Sequence, residues 1–487
     1  MGIVLNQSVK NTFITLIGFS IGAINALFLY TLYLGQEHFG IVVFVLSAAN
    51  ILMPLFSFGI QSTLIRFYSK YISEYEKDVF LSFMLLFPIV ITSIIVCFFF
   101  FFFPQFTNFI FFENPKVVRF LWLIPIIGIF MGYFEIFYAW VKVHFYSVFG
   151  IFLSEVLTRV LVFFMLLLVS QNCIQKDTFI ISLSLIYGIQ CFGMMIFAFK
   201  VKRPKIIFRL PIYYKEIIIY SLYIIAISFV TVMLVDFDKV VIPVYHKINN
   251  NAFYSVAVFI AMVIIIPSRA MTQIIYPITA QLVNDKKWNE LNVLYKKSAI
   301  NLQVIGGLFM LEIFLNCKQM YHLIPIEYSG GIGVVFLIGL SKFYDLLIGN
   351  NSAILLNTKF YKWFLFFGIL IILIMIWLYL FLIPIYGIIG AALATLISVI
   401  ISNSIKLSFV YFKLNLFPFS NKTIQSFFII FFVFLLFYFW DFNFNPILNI
   451  LFKSILILLV YTFLNFKFKI ASELNQIVNN FVNRFVK

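Results

Sequence analysis

Apolar stretches of about twenty residues, separated by short polar segments, recur from residue 11 almost to the end of this chain. A helix of that length spans the roughly 30 Å hydrocarbon core of a bilayer. Cutting at the polar and Pro/Gly interruptions predicts spans near 11–34, 41–64, 79–103, 117–139, 147–170, 179–199 and 217–235. A second set follows near 251–276, 298–316, 331–350, 361–383, 386–409, 425–440 and 446–466. The fold class expected is an all-α integral membrane protein of about 14 transmembrane helices. Because further spans follow the first, that first run is read as a retained helix and not as a cleaved signal peptide. The thirteenth run is short for a span. The third, which ends at Phe98 to Phe103 before Pro104, has no polar face.

Composition agrees with lipid as the solvent: 63% of the 487 residues are hydrophobic and 11% charged, with a mean hydropathy of +1.08. A formal charge of +16 raises the question of nucleic acid. The Lys and Arg residues, however, concentrate in alternate loops, the pattern that holds loops in the cytoplasm, so no nucleic-acid partner is expected and both termini are placed inside. The most basic loop carries Lys200, Lys202, Arg203, Lys205, Arg209 and Lys215. A break there divides the chain into an N-terminal six-helix lobe (1–200), a basic cytoplasmic linker (201–216), a C-terminal six-helix lobe (217–412), and two additional helices with a cytoplasmic tail (413–487). Two similar phrases, Phe39-Gly40-Ile41-Val42 and Phe253-Tyr254-Ser255-Val256, each precede a proline, Pro54 and Pro267. That is weak support for an internal repeat. Cys97, Cys173, Cys191 and Cys317 are far apart, and His38, His144, His246 and His322 are isolated, so no metal site is expected.

Several phrases then carry a family resemblance. Leu34-Gly35-Gln36-Glu37-His38-Phe39-Gly40 looks like a turn of the form LGxExYG, with Phe39 at the tyrosine; Phe58-Gly59-Ile60-Gln61 and Leu64-Ile65-Arg66-Phe67 close the second helix; Asp236-Phe237-Asp238-Lys239 ends the seventh span. Phe253-Tyr254-Ser255-Val256-Ala257 follows, with Ala252 where a glycine is usual, and the twelfth span opens with Tyr386-Gly387-Ile388-Ile389-Gly390-Ala391-Ala392. Together these resemble the Wzx-type, polysaccharide-transport branch of the multidrug/oligosaccharidyl-lipid/polysaccharide exporter superfamily, over nearly the whole chain. The resemblance implies two six-helix lobes around a cavity open alternately to each side of a bacterial inner membrane. It also implies a polyprenyl-diphosphate-linked oligosaccharide as the cargo, moved from the cytoplasmic to the periplasmic leaflet for O-antigen or capsule assembly. Membrane lipids, a polysaccharide polymerase and a chain-length regulator are the partners that go with it. No cofactor is expected, and coupling to protons or sodium stays open.

Ionisable groups at membrane depth are costly and generally face protein or water, so they are the candidate site residues. Arg269, deep in the eighth span with no acidic residue one turn away, is the leading candidate for binding an anion; an interhelical salt bridge is the alternative. Arg66, Arg159 and Lys342 are further substrate-binding candidates. Glu155 stands four residues before Arg159, and Asp345 three after Lys342, spacings that favour mutual neutralisation on one helical face. Glu155, Asp345, Asp238, Glu135 and Glu312 are candidates for gating or ion coupling, with Asp236 and Asp238 at the outer end of the seventh span. Two other functions fit the hydropathy: a drug/cation antiporter of the same superfamily, and a membrane enzyme of polysaccharide assembly such as a polymerase or ligase. The outer segments are short and lack a convincing acid/base pair, and no nucleophile motif or phosphate-binding loop is present, which disfavours an enzyme.

Overall fold

The computed structural model describes residues 2–110, 114–144, 146–203, 205–442 and 445–471, and their side chains except those of 2–9, 99–100, 102–110, 269–270, 273 and 361. Thirteen helices among these residues are long and apolar enough to cross a membrane. In the first half, α1 comprises Gly2–Ile24 and a π-helical Asn25–Leu34. α2 runs Gln36–Phe56 and resumes after a turn as Ile60–Phe67. α3 is Glu74–Ile110, α4 Leu123–Lys142, α5 Val148–Ser170, α6 Lys176–Val201 and α7 Tyr214–Tyr245.

α8 begins as Asn249–Met262 and continues as Ile266–Asn284. The 3₁₀ turn between them, Val263–Ile265, precedes Pro267, which cannot donate to the carbonyl of Val263. Then come α9, Trp288–Tyr321, α10, Ile332–Leu347, and a short helix, Asn351–Asn357.

One helical run, Tyr361–Leu414, has 54 residues, which as a straight rod would measure about 80 Å, well beyond a bilayer. It is a hairpin. Gly387 has φ 59° and ψ −133°, outside the helical region and accessible to glycine, three residues after Pro384. Beyond it the chain returns: the hydroxyls of Tyr379 and Thr395, 16 residues apart, lie at 2.8 Å, where a straight helix would separate them by about 24 Å. The arms, 361–386 and 388–414, are α11 and α12. With α13, Asn421–Tyr438, and α14, Pro446–Lys467, this makes fourteen spans, so the fold expected from the sequence is borne out.

Two compact units divide the chain, Met1–Ser255 and Val256–Lys487, with the division inside α8. In the first, α4 packs on α2 and α6, α7 packs on α2, and α1 packs on α5. Its core gathers Leu64, Phe80, Met84, Ile136, Trp140 and Met194, all inaccessible. This unit therefore extends past the basic linker. The linker is fastened to α3: Lys202 Nζ meets Glu74 at 2.7 Å and Asp78 at 3.6 Å, and Ser82 Oγ donates to the Lys205 carbonyl at 2.8 Å. In the second unit α9 is the centre, packed on α10, α13 and α14, with the α11–α12 hairpin on α10.

Candidate functional site

The densest buried charge in the first unit lies on α7. Helical spacing places Asp236 and Lys239 on one face, where Lys239 Nζ lies 2.7 Å from Asp236 Oδ1. Two side chains of α2 complete the carboxylate's shell: Ser47 donates to Oδ1 at 3.2 Å and Asn50 to Oδ2 at 2.6 Å. Asp238 accepts the Tyr254 hydroxyl at 2.5 Å and the Lys239 amide at 2.8 Å. Both carboxylates are buried, 7% and 5% exposed, because α7 continues as a helix to Tyr245, ten residues past its hydropathic end. Near its C-terminus Pro243 has no N–H to give the carbonyl of Lys239. Asn251 of α8 supplies the missing donor, its Nδ2 lying 2.9 Å from that oxygen.

A second charged group joins α1 and α5. Arg159 Nη1 stands 2.9 Å from Glu155 Oε2, as the spacing of four predicts, but without an aligned N–H. The guanidinium enters a notch of small residues on α1. A Cβ at Gly18 would come within 2.9 Å of Arg159 Nη1, and one at Gly22 within 3.2 Å of its Cδ. Asn25 Nδ2 donates to the Arg159 carbonyl at 2.8 Å. Glu155→Gln and Arg159→Gln are each expected to lower the melting temperature of the detergent-solubilised chain, and the double variant by less than their sum. Strict additivity would show that the two charges act independently.

In the second unit, Asp345 of α10 accepts a hydrogen bond from Asn403 of α12 at 2.8 Å, and Lys342, one turn before it, is half-buried. Glu312 of α9 receives Asn316 Nδ2 on its backbone carbonyl at 2.9 Å and on Oε2 at 3.4 Å. Asn316 also reaches Ser454 of α14 at 3.2 Å. The residue before it, Lys453, 1% exposed, donates to the Leu315 carbonyl at 2.9 Å and meets Asp441 at 3.3 Å. This ties α14 to α9 by charge and hydrogen bonds, which is effective where apolar burial offers helices no advantage over lipid.

The remaining candidates stand apart. Arg66 is exposed, and its guanidinium carbon lies 4.2 Å from the Tyr220 ring centroid, a cation–π contact. Glu135 makes no hydrogen bond or ion pair among the described residues; Lys142, two turns on, sits 3.7 Å from the Tyr138 ring centroid. The Arg269 side chain lies outside the described residues. The structure thus pairs Glu155 with Arg159, joins Asp238 to Tyr254, and joins Asp345 to Asn403. Sequence reasoning took Lys239 only as the end of a family phrase and did not single out Lys453. A charge set within a helical run was the available signal. No group of three or more metal-ligating side chains occurs among the described residues.

Residues 8–283 match the model of a family described as polysaccharide biosynthesis protein. The chain belongs to that family. Solved structures of transporters share its fold. A lipid II flippase, MurJ, in an inward closed conformation is 16% identical, with a TM-score of 0.79 over 94% of this chain and 98% of that one. An inward-facing multidrug resistance MATE transporter of the MOP superfamily is 13% identical, with a TM-score of 0.62 over 84% of this chain and 98% of that one. A MOP superfamily transporter from Pyrococcus furiosus, also 13% identical, gives 0.57 over 84% and 95%. No curated protein matches the sequence. The family resemblance read from the sequence motifs is therefore borne out, and the fold is the one that MOP superfamily transporters share. This member of the polysaccharide biosynthesis family is a multi-pass membrane protein with the fold of MOP superfamily transporters.

Proposed function

We propose that the chain is a flippase that moves a polyprenyl-diphosphate-linked oligosaccharide from the cytoplasmic to the periplasmic leaflet of a bacterial inner membrane, for O-antigen or capsule assembly. The observation that carries the proposal is the conjunction of the family match over residues 8–283 with a transporter fold sustained along 94% of the chain. A polysaccharide-family chain with this fold is suited to carrying an assembly intermediate across the membrane. Alternating access, driven by a proton or sodium gradient or by the membrane potential, belongs to the same proposal. Arg269, Arg66, Arg159 and Lys342 are the cations offered for the diphosphate, an anion that needs charged donors in a low-dielectric site.

The buried carboxylates of α7 favour this over a drug/cation antiporter. Asp236 is engaged by Lys239, Ser47 and Asn50, and Asp238 by Tyr254, so neither is poised to receive an organic cation.

Deleting the gene and locating the lipid-linked intermediate tests the function. Accumulation on the cytoplasmic leaflet, relieved by the wild-type chain and not by an inserted Arg269→Gln chain, is expected. Unimpaired surface polysaccharide would overturn the flippase. Unpolymerised units already on the outer leaflet would point to the polymerase alternative. Wild-type flipping by Arg269→Gln would remove that residue from the site.

A further inference from the structure

The second unit holds a cavity of about 330 Å³ walled by α8, α9, α10 and the short helix 351–357. Its size is within the range of small-molecule sites, roughly 300–1,000 Å³. Polar side chains interrupt an otherwise apolar wall. Ser268, Thr272 and Tyr276 recur every fourth residue along one face of α8; Asp345 and Ser352 face them from α10 and the short helix.

How these groups are used narrows what the cavity suits. Ser268 and Thr272 spend their hydroxyl hydrogens on their own helix, donating to the carbonyls of Ile265 at 2.9 Å and Ser268 at 2.7 Å. Each retains acceptor capacity. Asp345, exposed to the cavity, accepts Asn403 on Oδ1. The hydroxyls of Tyr276 and Ser352 have no partner among the described residues, and Tyr276, 38% exposed, also offers a ring face. The cavity therefore presents acceptors in excess, two hydroxyls that can serve as donor or acceptor, and one aromatic plane.

Diphosphate is a poor match for this lining, which holds a carboxylate and, among the described residues, no cation. A ligand rich in hydroxyl donors, with an apolar face to lay on an aromatic ring, is a good one. That combination describes a pyranose. We infer that this cavity binds a sugar ring of the cargo, with Asp345 and Ser352 taking ring hydroxyls and Tyr276 stacking on the ring. The inference rests on the flippase proposal and adds to it a carbohydrate subsite.

The test uses the full chain in lipid nanodiscs and two probes. One is the lipid-linked oligosaccharide extracted from the deletion strain; the other is undecaprenyl diphosphate without sugar. Tyr276→Ala and Ser352→Val are each expected to weaken the sugar-bearing lipid about tenfold while leaving the sugar-free lipid at its wild-type affinity. Unchanged binding of both lipids by both variants overturns the subsite and leaves a water-filled cavity. Equal weakening of both lipids also overturns it, since the substitutions then act on the diphosphate site or the fold. A wild-type chain that binds neither lipid overturns the flippase proposal itself, a result distinct from the other two.

Discussion

Lys239→Met is expected to destabilise the first unit by about 3–5 kcal/mol, the range for removing one partner of a buried ion pair. The substitution keeps most of the length of the side chain and removes the cation that pairs with buried Asp236, next to buried Asp238. Ser47, Asn50 and Tyr254 would still donate hydrogen bonds, but dipoles alone do not offset two charges at low dielectric. Thermal unfolding of the purified chain in detergent should show a fall of several degrees. Combining the change with Asp236→Asn should recover most of it, because Asp238 keeps the Tyr254 hydroxyl and the Lys239 amide. A melting temperature equal to wild type in the single variant would mean that the pair is not charged in the folded chain. No recovery in the double variant would mean that Lys239 acts through its contact with the Val235 carbonyl, at 3.1 Å, and not through charge.

That cluster also shows where the sequence is legible and where it is not. Hydropathy locates fourteen spans because each is a local property of about twenty residues, and the Pro384–Gly387 reversal is marked by the two residues least compatible with a continuing helix. Glu155 and Arg159 are legible as a pair because four residues make little more than one helical turn. The end of α7 is not legible in the same way. Its last ten residues include Asp236, Asp238 and Lys239, which lower the local hydropathy although the fold neutralises them internally. Lys239 supplies the counter-charge locally, but the neutral donors that complete the shell of Asp236 are 186 and 189 residues away, on α2. Lys453 is similar: in the sequence it is a lone charge within the last span, whereas its partners are a backbone carbonyl of α9, 138 residues distant, and Asp441. Burial that depends on long-range partners leaves no periodic trace. The carbohydrate cavity shares this property, since its walls come from segments that no spacing rule connects.

Asn114→Ala is expected to release the turn between α7 and α8, which one side chain holds at three points. Asn114 Nδ2 donates to the carbonyls of Pro243 at 2.8 Å and His246 at 2.9 Å, and its Oδ1 accepts the Ile248 amide at 2.8 Å. The carbonyls at a helix C-terminus have no partner within the helix, so Asn114 supplies donors that α7 cannot provide for itself. The residue is only 6% exposed, and its truncation leaves these backbone groups unsatisfied in a site closed to water. Each such group costs about 1–3 kcal/mol, and because the losses overlap, about 3 kcal/mol in total is the expected weakening. Hydrogen exchange at residues 246–250 should accelerate roughly a hundredfold, since about 1.4 kcal/mol is a factor of ten, while exchange in α4 and α6 stays at its wild-type rate. Asn114→Asp, which keeps the acceptor for Ile248 but sets a carboxylate oxygen against the two carbonyls, should accelerate exchange at least as much. Acceleration spread evenly through the first unit would instead make Asn114 part of its global stability. Confined acceleration would identify the α7–α8 turn as an independently opening segment, and its position beside Asp236, Asp238 and Lys239 would make that opening a means of exposing the buried charges to water.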